Sequence, residues 1–338
     1  MNKRKFISCM LIFLLFFLPV QSQAATNKAE TNITTINNED NKLLLPIVKY
    51  VSSMCRLNPQ NTDYTEKLIY AIITIRYLEE QNSIKSEGTT KYIALGDSIA
   101  FGLSADLNKG YVDLFKNYLK TTEKYDELVL NNLAMTGDKS SDLLDKVKND
   151  VKTRDAIRQA NIITISIGGN NLLSPVIKAI ASKYKLDSEE ANFVIKLTNA
   201  IEEDPNWEEK LEILKNDSCL MKELDEGINN FKEDWPKIIK EINSLAPNAK
   251  IYVMTIYNPL KADTPVLYNT FEKLIQPINE EIKNSIYDYK VAEVYTKFHE
   301  YDGEIPLTNF DLINRSIDPH PTNYGHQIIF KAHCKSLK

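Results

Sequence analysis

Short apolar runs rich in β-branched residues alternate with longer amphipathic stretches along most of the chain beyond residue 90. Runs of this kind are typical of buried strands, whereas apolar residues that recur every three or four positions are typical of helices. The five predicted strands are Lys91–Leu95, Leu128–Leu133, Ile162–Ile167, Lys250–Ile256 and Lys290–Tyr295. The alternation predicts an α/β fold in which helices cover both faces of a parallel sheet.

Helical patterns occupy the intervals between these strands. The predicted helices are Tyr111–Lys120, Lys139–Ala160, Phe271–Tyr287 and Asn323–Lys335. The interval at residues 172–249 is far longer than the roughly dozen residues that a crossover between parallel strands requires. Because its apolar residues recur at helical spacing, we expect a helical insertion between strands 3 and 4. It either covers a site at the adjoining strand end or elaborates the periphery.

The first two dozen residues have a different pattern. Three basic residues precede the apolar stretch Phe6–Leu18, and Ser22-Gln23-Ala24 supplies small residues at cleavage spacing. This order predicts a signal peptide over residues 1–24 and a secreted protein. The stretch is shorter than the roughly 20 residues that span a bilayer, so we expect no stable membrane span after cleavage. An uncleaved anchor is the alternative.

Residues 25–90 are interpreted as a flexible leader and an N-terminal helical segment, and residues 91–338 as one globular domain. The leader is rich in Asn, Thr and Glu and has few apolar residues to bury. The stretch Tyr64–Glu80 has the apolar density of a docked helix.

Composition narrows the classes of partner. The 338 residues carry a formal net charge of -5, which becomes -8 without residues 1–24 and their three basic side chains. A chain with no basic surplus is poorly suited to neutralise phosphates, so nucleic acid is not expected as a partner. Four cysteines cannot form a disulfide framework in so long a chain, and whether Cys219 pairs with Cys334 stays open.

Glycine and polar residues follow four of the predicted strands directly. The strand ends lead into Gly96-Asp97-Ser98, Met135-Thr136-Gly137, Gly168-Gly169-Asn170-Asn171 and Tyr257-Asn258-Pro259. Sites in open parallel sheets form beyond the carboxyl ends of the strands, which lie along one edge. We therefore expect these segments to meet.

A serine directly after a buried strand can act as a nucleophile when a base lies within hydrogen-bond reach. Ser98 has this position, and His320, in a predicted loop before the last helix, is the candidate base. Asp318, two residues earlier, is a candidate for orienting the imidazole. The other histidines are His299, a competing base after strand five, and His326 and His333, which are interpreted as partly exposed helix residues.

Three groups at different strand ends could stabilise an oxyanion: the backbone N–H of Ser98, the backbone N–H of Gly137 and the side-chain amide of Asn170. Turn chemistry is the alternative explanation for Gly137, and turn capping for Asn170.

The sequence lacks the motifs of ordinary α/β-hydrolases, nucleotide-binding loops and metal sites. Ala100 stands where the nucleophile elbow of ordinary α/β-hydrolases needs glycine. No strand leads into the glycine pattern of a dinucleotide or phosphate loop, and paired His or Cys motifs are absent from the sequence. The sequence therefore predicts neither a cofactor nor a metal.

These segments resemble the blocks of the SGNH hydrolases, also called the GDSL esterase/lipase family. Over Lys91–Lys338, the segments containing Ser98, Gly137, Asn170 and His320 match the family blocks in order. The resemblance implies a three-layer α/β/α, flavodoxin-like fold with a five-stranded parallel sheet. It also implies Ser98, His320 and Asp318 as the catalytic residues, and Ser98, Gly137 and Asn170 as the oxyanion hole.

Two positions depart from the family pattern. Asn171 stands where the third block usually ends in Asp, which we expect to change only a supporting hydrogen bond. Ile317 stands where the family has Asp, three residues before the histidine, so Asp318 is taken as the acid. A dyad in which a backbone carbonyl orients His320 is the alternative.

The resemblance implies a serine ester hydrolase that cleaves small-molecule or lipid acyl esters through an acyl-enzyme on Ser98. One alternative is an O-acetyl esterase or acyltransferase acting on cell-wall or extracellular polysaccharide. Another is a non-catalytic surface-binding module on a hydrolase scaffold.

Overall fold

The computed structural model describes residues 89–123, 125, 127–187, 193–207, 209–210, 216–260, 265–284, 286–311 and 316–338. The signal peptide predicted at residues 1–24 lies outside these residues, as do the leader and helical segment predicted at residues 25–90, apart from their last two residues. Both stay predictions. Among the described residues, no helix combines the length and the apolar character needed to cross a bilayer.

The centre of the fold is a five-stranded sheet. Its strands are β1 (Thr90–Gly96), β2 (Leu128–Asn132), β3 (Ile162–Ser166), β4 (Lys250–Met254) and β5 (Lys290–Ala292). All neighbours pair in parallel, in the order β2-β1-β3-β4-β5. This is the flavodoxin-like order, so the predicted fold class is confirmed.

Helices cover both faces of the sheet. They are α1 (Ser98–Phe101), α2 (Tyr111–Thr121), α3 (Ser140–Asn149), α4 (Val151–Arg158), α5 (Gly169–Lys183), α6 (Phe193–Glu203), α7 (Ser218–Leu245), α8 (Pro265–Ile282), α9 (Val294–His299) and α10 (Asn323–Ser336). Alternate residues of β1 enter two separate cores. Ile93 and Leu95 pack with α3 to α8, whereas Tyr92 and Ala94 pack with α2, α9 and α10.

Two predicted elements differ in the structure: one predicted helix is divided into two, and one predicted strand is shorter. The helix predicted at Lys139–Ala160 is two helices, because Asp150 is extended (φ -78°, ψ 112°) and its carboxylate caps α4 by accepting from the Thr153 N–H at 2.8 Å. The strand predicted at Lys290–Tyr295 ends at Ala292. Tyr295 already belongs to α9, and its N–H donates to the Thr255 side chain, at Oγ1, at 2.9 Å.

The interval at residues 172–249 is helical where the structure describes it, as predicted. It holds most of α5, then α6 and the 28-residue helix α7, which leads into β4. The buried face of α7 packs on α3 and α5 and contributes Phe231 and Trp235 to the core. The long helix is therefore part of the layer that covers the sheet.

An antiparallel hairpin replaces the loop predicted around His320. Its strands are β6 (Thr308–Asp311) and β7 (Ser316–Pro321). The prediction was wrong because Pro319 and Pro321 argue against a strand, although proline is tolerated at edges and irregularities. Directly after the hairpin, the Thr322 side chain accepts from the Gly325 N–H at 3.1 Å and caps α10.

Candidate active site

Ser98 is the first residue of α1, directly after the turn that ends β1. Gly96 has φ +126°, and a Cβ atom there would lie 1.8 Å from the carbonyl oxygen of Ser166, so this close approach to β3 requires glycine. Asp97 caps α1, because its carboxylate accepts from the Ile99 N–H at 3.0 Å. The sequence thus places Ser98 at a helix start beyond the sheet edge, with its side chain buried.

Asp97 also connects the turn between β1 and α1, which carries Ser98, to β3 through hydrogen bonds. Its backbone N–H donates to the Ser166 carbonyl at 2.9 Å, and its carboxylate accepts from Ser166 Oγ at 3.0 Å. Burial raises the pKa of Asp97 to about 6, although the hydrogen bonds from Ile99 and Ser166 and the charge of His320 act in the opposite direction.

Ser98, His320 and Asp318 form one hydrogen-bonded chain. Ser98 Oγ lies 2.7 Å from His320 Nε2, and His320 Nδ1 lies 2.7 Å from Asp318 Oδ1. A carboxylate oxygen only accepts, so Nδ1 carries the proton and Nε2 is left to accept from the serine hydroxyl. The structure thus brings together the three residues predicted as nucleophile, base and acid.

Neighbouring elements support the acid and base from several directions. Asp318 accepts at Oδ1 from the backbone N–H of His320 at 3.0 Å, and at Oδ2 from Ser104 Oγ at 3.4 Å. Asn309 Nδ2 donates to the His320 carbonyl at 3.3 Å, and the Tyr257 hydroxyl donates to the Pro319 carbonyl at 2.9 Å.

The other histidines are placed differently from the sequence interpretation. His326 and His333 are fully buried, and the prediction that they are partly exposed was wrong. The ring of His326 accepts from the Tyr111 N–H at Nδ1 and donates from Nε2 to the Leu103 carbonyl, and burial lowers its pKa to about 4. His299 is about half exposed and contacts the Tyr268 hydroxyl at 2.6 Å. It is not among the residues that line the cavity at Ser98.

Asn170 lies in the first turn of α5, beside the turn that follows β2. Its side-chain amide donates to the carbonyl oxygen of Asp138 at 2.9 Å. The preceding residue, Gly137, has φ +82°, so the predicted oxyanion glycine does occupy a turn conformation that favours glycine. The hydrogen bond connects the segments that contain Gly137 and Asn170. Of these two residues, Asn170 lines the cavity and Gly137 does not.

An ion pair stabilises the turn at Asp138. Lys146, in the helix α3 that follows this turn, donates to the Asp138 carboxylate. Burial raises the pKa of Asp138 to about 7, although Lys146 opposes the shift.

Asn171 shows why an amide suits this chain. Its Oδ1 accepts from the Ser140 N–H at 3.0 Å, and its Nδ2 donates to Ser140 Oγ at 2.9 Å and to the Gly227 carbonyl at 3.1 Å. A carboxylate could not donate to Gly227, so the departure from the family pattern matches a contact with α7.

An open cavity of about 650 Å³, including its mouth, lies against Ser98 and His320. Most of its wall is apolar and comes from α5, α8 and the end of β4, with Leu172, Leu173, Ile256, Phe271 and Ile275 among the lining residues. Of the insertion, only Leu172 and Leu173 line it, among the described residues. The idea that the insertion covers the site is therefore supported only for the first turns of α5.

Two further observations concern metals and thiols. Among the described residues, no group of three or more His, Cys, Asp or Glu side chains could hold a metal ion. Cys219 and Cys334 are free thiols, which answers the question of their pairing.

Some functional positions were not identified from sequence. Tyr257 was noted at a strand end without a role, and Lys146 and the α8 residues Phe271 and Ile275 were not singled out. Lys146 pairs with Asp138 only eight residues away, but that pair follows no motif, and the Tyr257 partner Pro319 lies 62 positions away. Only the strand-end position of Tyr257 carried a signal.

Comparison with known proteins gives consistent matches. Residues 94–328 match the model of the GDSL-like Lipase/Acylhydrolase family. The chain is 24% identical over 275 residues to the uncharacterized protein YpmR of Bacillus subtilis strain 168, covering 80% of this chain and 92% of that protein. Among solved structures, the lipase Lip_vut3 from a goat rumen metagenome is similar in fold, with 22% identity and a TM-score of 0.50. That alignment covers 73% of this chain and 97% of the lipase.

Proposed function

Because the chain belongs to the GDSL-like lipase/acylhydrolase family of ester hydrolases, we propose that it is a serine carboxylesterase whose nucleophile is Ser98. The observation that carries the proposal is the 2.7 Å contact between Ser98 Oγ and His320 Nε2 at the wall of an apolar cavity.

Acylation begins when Ser98 Oγ attacks the ester carbonyl carbon while His320 Nε2 takes the hydroxyl proton. Asp318 accepts from Nδ1–H and stabilises the imidazolium that forms. The backbone N–H of Ser98 has no acceptor within its helix, because it is the first residue of α1. This N–H, with the Gly137 N–H and the Asn170 amide, stabilises the oxyanion.

Collapse of the tetrahedral intermediate releases the alcohol, which takes its proton from His320, and leaves the acyl group on Ser98. Water then attacks the acyl-enzyme while His320 Nε2 takes a proton from it. The second tetrahedral intermediate expels Ser98 Oγ, which regains a proton from His320, and the acid leaves. Both half-reactions are balanced without a cofactor.

The wall of the cavity favours an uncharged, apolar acyl group. Among the described residues, the ionisable side chains that line it are Asp97, Tyr257 and His320, with no Lys or Arg. A free carboxylate or phosphate on the acyl chain would therefore be buried without a cationic partner. Small-molecule and lipid acyl esters fit this lining.

The test of the nucleophile is Ser98→Ala with p-nitrophenyl butyrate. We expect kcat to fall by about a millionfold, because removal of a triad nucleophile has an effect of that order. Ser182→Ala is the control, since Ser182 is an exposed serine whose hydroxyl only caps the α5 carbonyl of Ala179. Near-normal hydrolysis by Ser98→Ala, or labelling of that variant by a fluorophosphonate, would refute the assignment.

A panel of p-nitrophenyl esters from C2 to C16 tests the acyl preference. We expect kcat/KM to rise from acetate to medium chains, because each buried methylene contributes about 0.8 kcal/mol in an apolar pocket. Activity confined to acetyl esters, with release of acetate from acetylated polysaccharide, would instead support the O-acetyl esterase alternative.

The proposal includes export. Residues 1–24 have the order of a secretory signal peptide, with basic residues before the apolar stretch Phe6–Leu18. Mass spectrometry of the expressed protein should find the mature N-terminus at Ala25 in the culture medium. An intact N-terminus in the cell fraction would contradict export.

A further inference from the structure

Tyr257 lies three residues beyond the end of β4, and its ring forms part of the cavity wall. Its hydroxyl donates to the carbonyl oxygen of Pro319 at 2.9 Å, between the candidate acid and base. We propose that Tyr257 is a positioning residue that holds the Asp318–His320 segment in register with Ser98. The inference rests on the proposed function, in which His320 is the base.

The hairpin does not fix this segment through its own ladder. Phe310 pairs with Ile317 and Thr308 pairs with Pro321, so the single residue Asn309 faces the three residues 318–320. The segment is thus a bulge within β7. Pro319, at its centre, has no N–H to donate, and its carbonyl is bound by Tyr257.

Tyr257 is well suited to fix this bulge because it is held by the main sheet. It follows β4, which pairs with both β3 and β5. Its ring stacks on Phe298 of α9, with centroids 4.2 Å apart and planes at 22°. The hydroxyl therefore sits on a framework that is separate from the hairpin.

The hydroxyl also stays a donor. Burial raises the pKa of Tyr257 well above its ordinary value, and the charges of Asp97 and Asp318 act in the same direction. The Tyr257 hydroxyl is consequently protonated, and able to donate, near neutral pH.

His320 must take a proton from Ser98 and return it without moving away. Without the hydroxyl, the bulge would lose its contact at the Pro319 carbonyl while those of Asn309 and the Asp318 side chain stay, and the Oγ–Nε2 distance would be less well fixed. Small misplacements of a catalytic group reduce rates by up to about a hundredfold. Because the hydroxyl acts on the base, its loss should affect all substrates alike.

The experiment compares Tyr257→Phe with Tyr289→Phe in the full chain. Tyr289 is the matched control, because its partly buried hydroxyl also donates to a backbone carbonyl, that of Ile282 at 2.7 Å, away from the cavity. For Tyr257→Phe we expect kcat to fall roughly 10- to 100-fold with KM within about threefold, by the same factor for C2, C4 and C8 esters. Tyr289→Phe should leave kcat within about twofold, even if it lowers the melting temperature.

Three results would overturn the inference: an unchanged kcat in Tyr257→Phe, an equal loss in Tyr289→Phe, or a loss confined to longer acyl chains, which would make Tyr257 only a wall of the pocket. If Tyr257→Phe does not fold, Phe298→Leu keeps the hydroxyl but removes the stacked ring. This variant should lower kcat at constant KM, and an unchanged kcat would again overturn the inference.

The outcome can be separated from that of the proposed function. Full activity in Ser98→Ala would refute the nucleophile itself. Loss of activity in Ser98→Ala together with normal kcat in Tyr257→Phe would refute only the positioning role.

Discussion

The two sides of Ser98 are held in different ways. On the base side, comprising Asp318 and His320, each functional atom already contacts the next at 2.7 Å. On the oxyanion side, comprising Gly137 and Asn170, the segments bind each other, because the Asn170 amide donates to the carbonyl beside Gly137. The acid and base are therefore hydrogen-bonded in line with the nucleophile, whereas the two oxyanion segments are hydrogen-bonded to each other.

The difference follows from the chemistry that each side would perform. A base must contact its proton before the reaction starts, so its geometry is visible without substrate. An oxyanion hole binds an atom that exists only during the reaction, so the fold can only fix the donors in advance. Substitutions on the base side should change proton transfer, and those on the oxyanion side should change transition-state stabilisation.

The largest effect in this comparison is expected for Asp318→Asn. An amide keeps the size of the side chain but can donate to Nδ1, which favours the wrong tautomer of His320 and lowers kcat by about ten-thousandfold. Steady-state kinetics at the pH optimum will measure this, with Asp155→Asn at an exposed ion pair as the control. A loss below tenfold would favour the alternative in which a backbone carbonyl orients His320.

A smaller effect is expected for Asn170→Asp on the oxyanion side. The carboxylate has nearly the same shape but cannot donate, so kcat should fall by roughly a hundred- to a thousandfold while KM changes little. The control is Asn149→Asp, at an exposed position on α3. If KM rises and kcat is retained, Asn170 binds substrate or caps the turn and has no role in the oxyanion hole.

Still smaller is the effect expected for Lys146→Met, which removes the ion pair beneath the Asp138 turn. If misplacement of the turn raises the activation free energy by about 1.4 kcal/mol, kcat falls roughly tenfold. Lys146→Arg should restore most of the rate. Lys183→Met is the matched control, because Lys183 forms a similarly exposed ion pair with Asp217. Equal rates in both methionine variants would show that the turn needs no support from Lys146.

Sequence reasoning predicted the parts of the site that depend on strand ends. Ser98 and Asn170 follow neighbouring strands, and parallel pairing brings those ends together whatever the loops do. Gly137 was a candidate for the same reason, and the resemblance matched these segments in order to the family blocks. These inferences needed only local patterns and the topology of a parallel sheet.

The positions that were missed depend on distant partners. His326 was misinterpreted because its buried ring is satisfied by backbone groups of Leu103 and Tyr111, more than 200 residues away. The hairpin was missed because two prolines hide a strand. The bond from Tyr257 to Pro319 joins residues 62 positions apart and cannot be seen in either segment alone.

The smallest effects concern stability and have opposite signs for two buried groups beside the two sides, His326 behind the base side and Asp138 next to Gly137. His326, which anchors the helix after the hairpin, has a folded pKa of about 4 against an ordinary value of 6.5. Between these values the unfolded chain binds more protons, so this contribution to stability is lost as the pH falls from about 6.5 to 4. Asp138 has a folded pKa of about 7 against 3.8, so the folded chain binds more protons and stability falls as the pH rises through that window.

Urea unfolding between pH 4.5 and 6.5 can separate the two contributions, because each substitution removes one titrating group. Asp138→Asn should make the slope of the free energy of unfolding against pH more positive, since it removes a group that binds its proton more tightly in the folded chain, while Asp97, His326 and His333 titrate as before. His326→Gln should make the slope less positive or reverse it. A change of slope with the same sign in both variants would contradict this assignment. It would mean that folding does not shift the proton affinities of His326 and Asp138 in opposite directions.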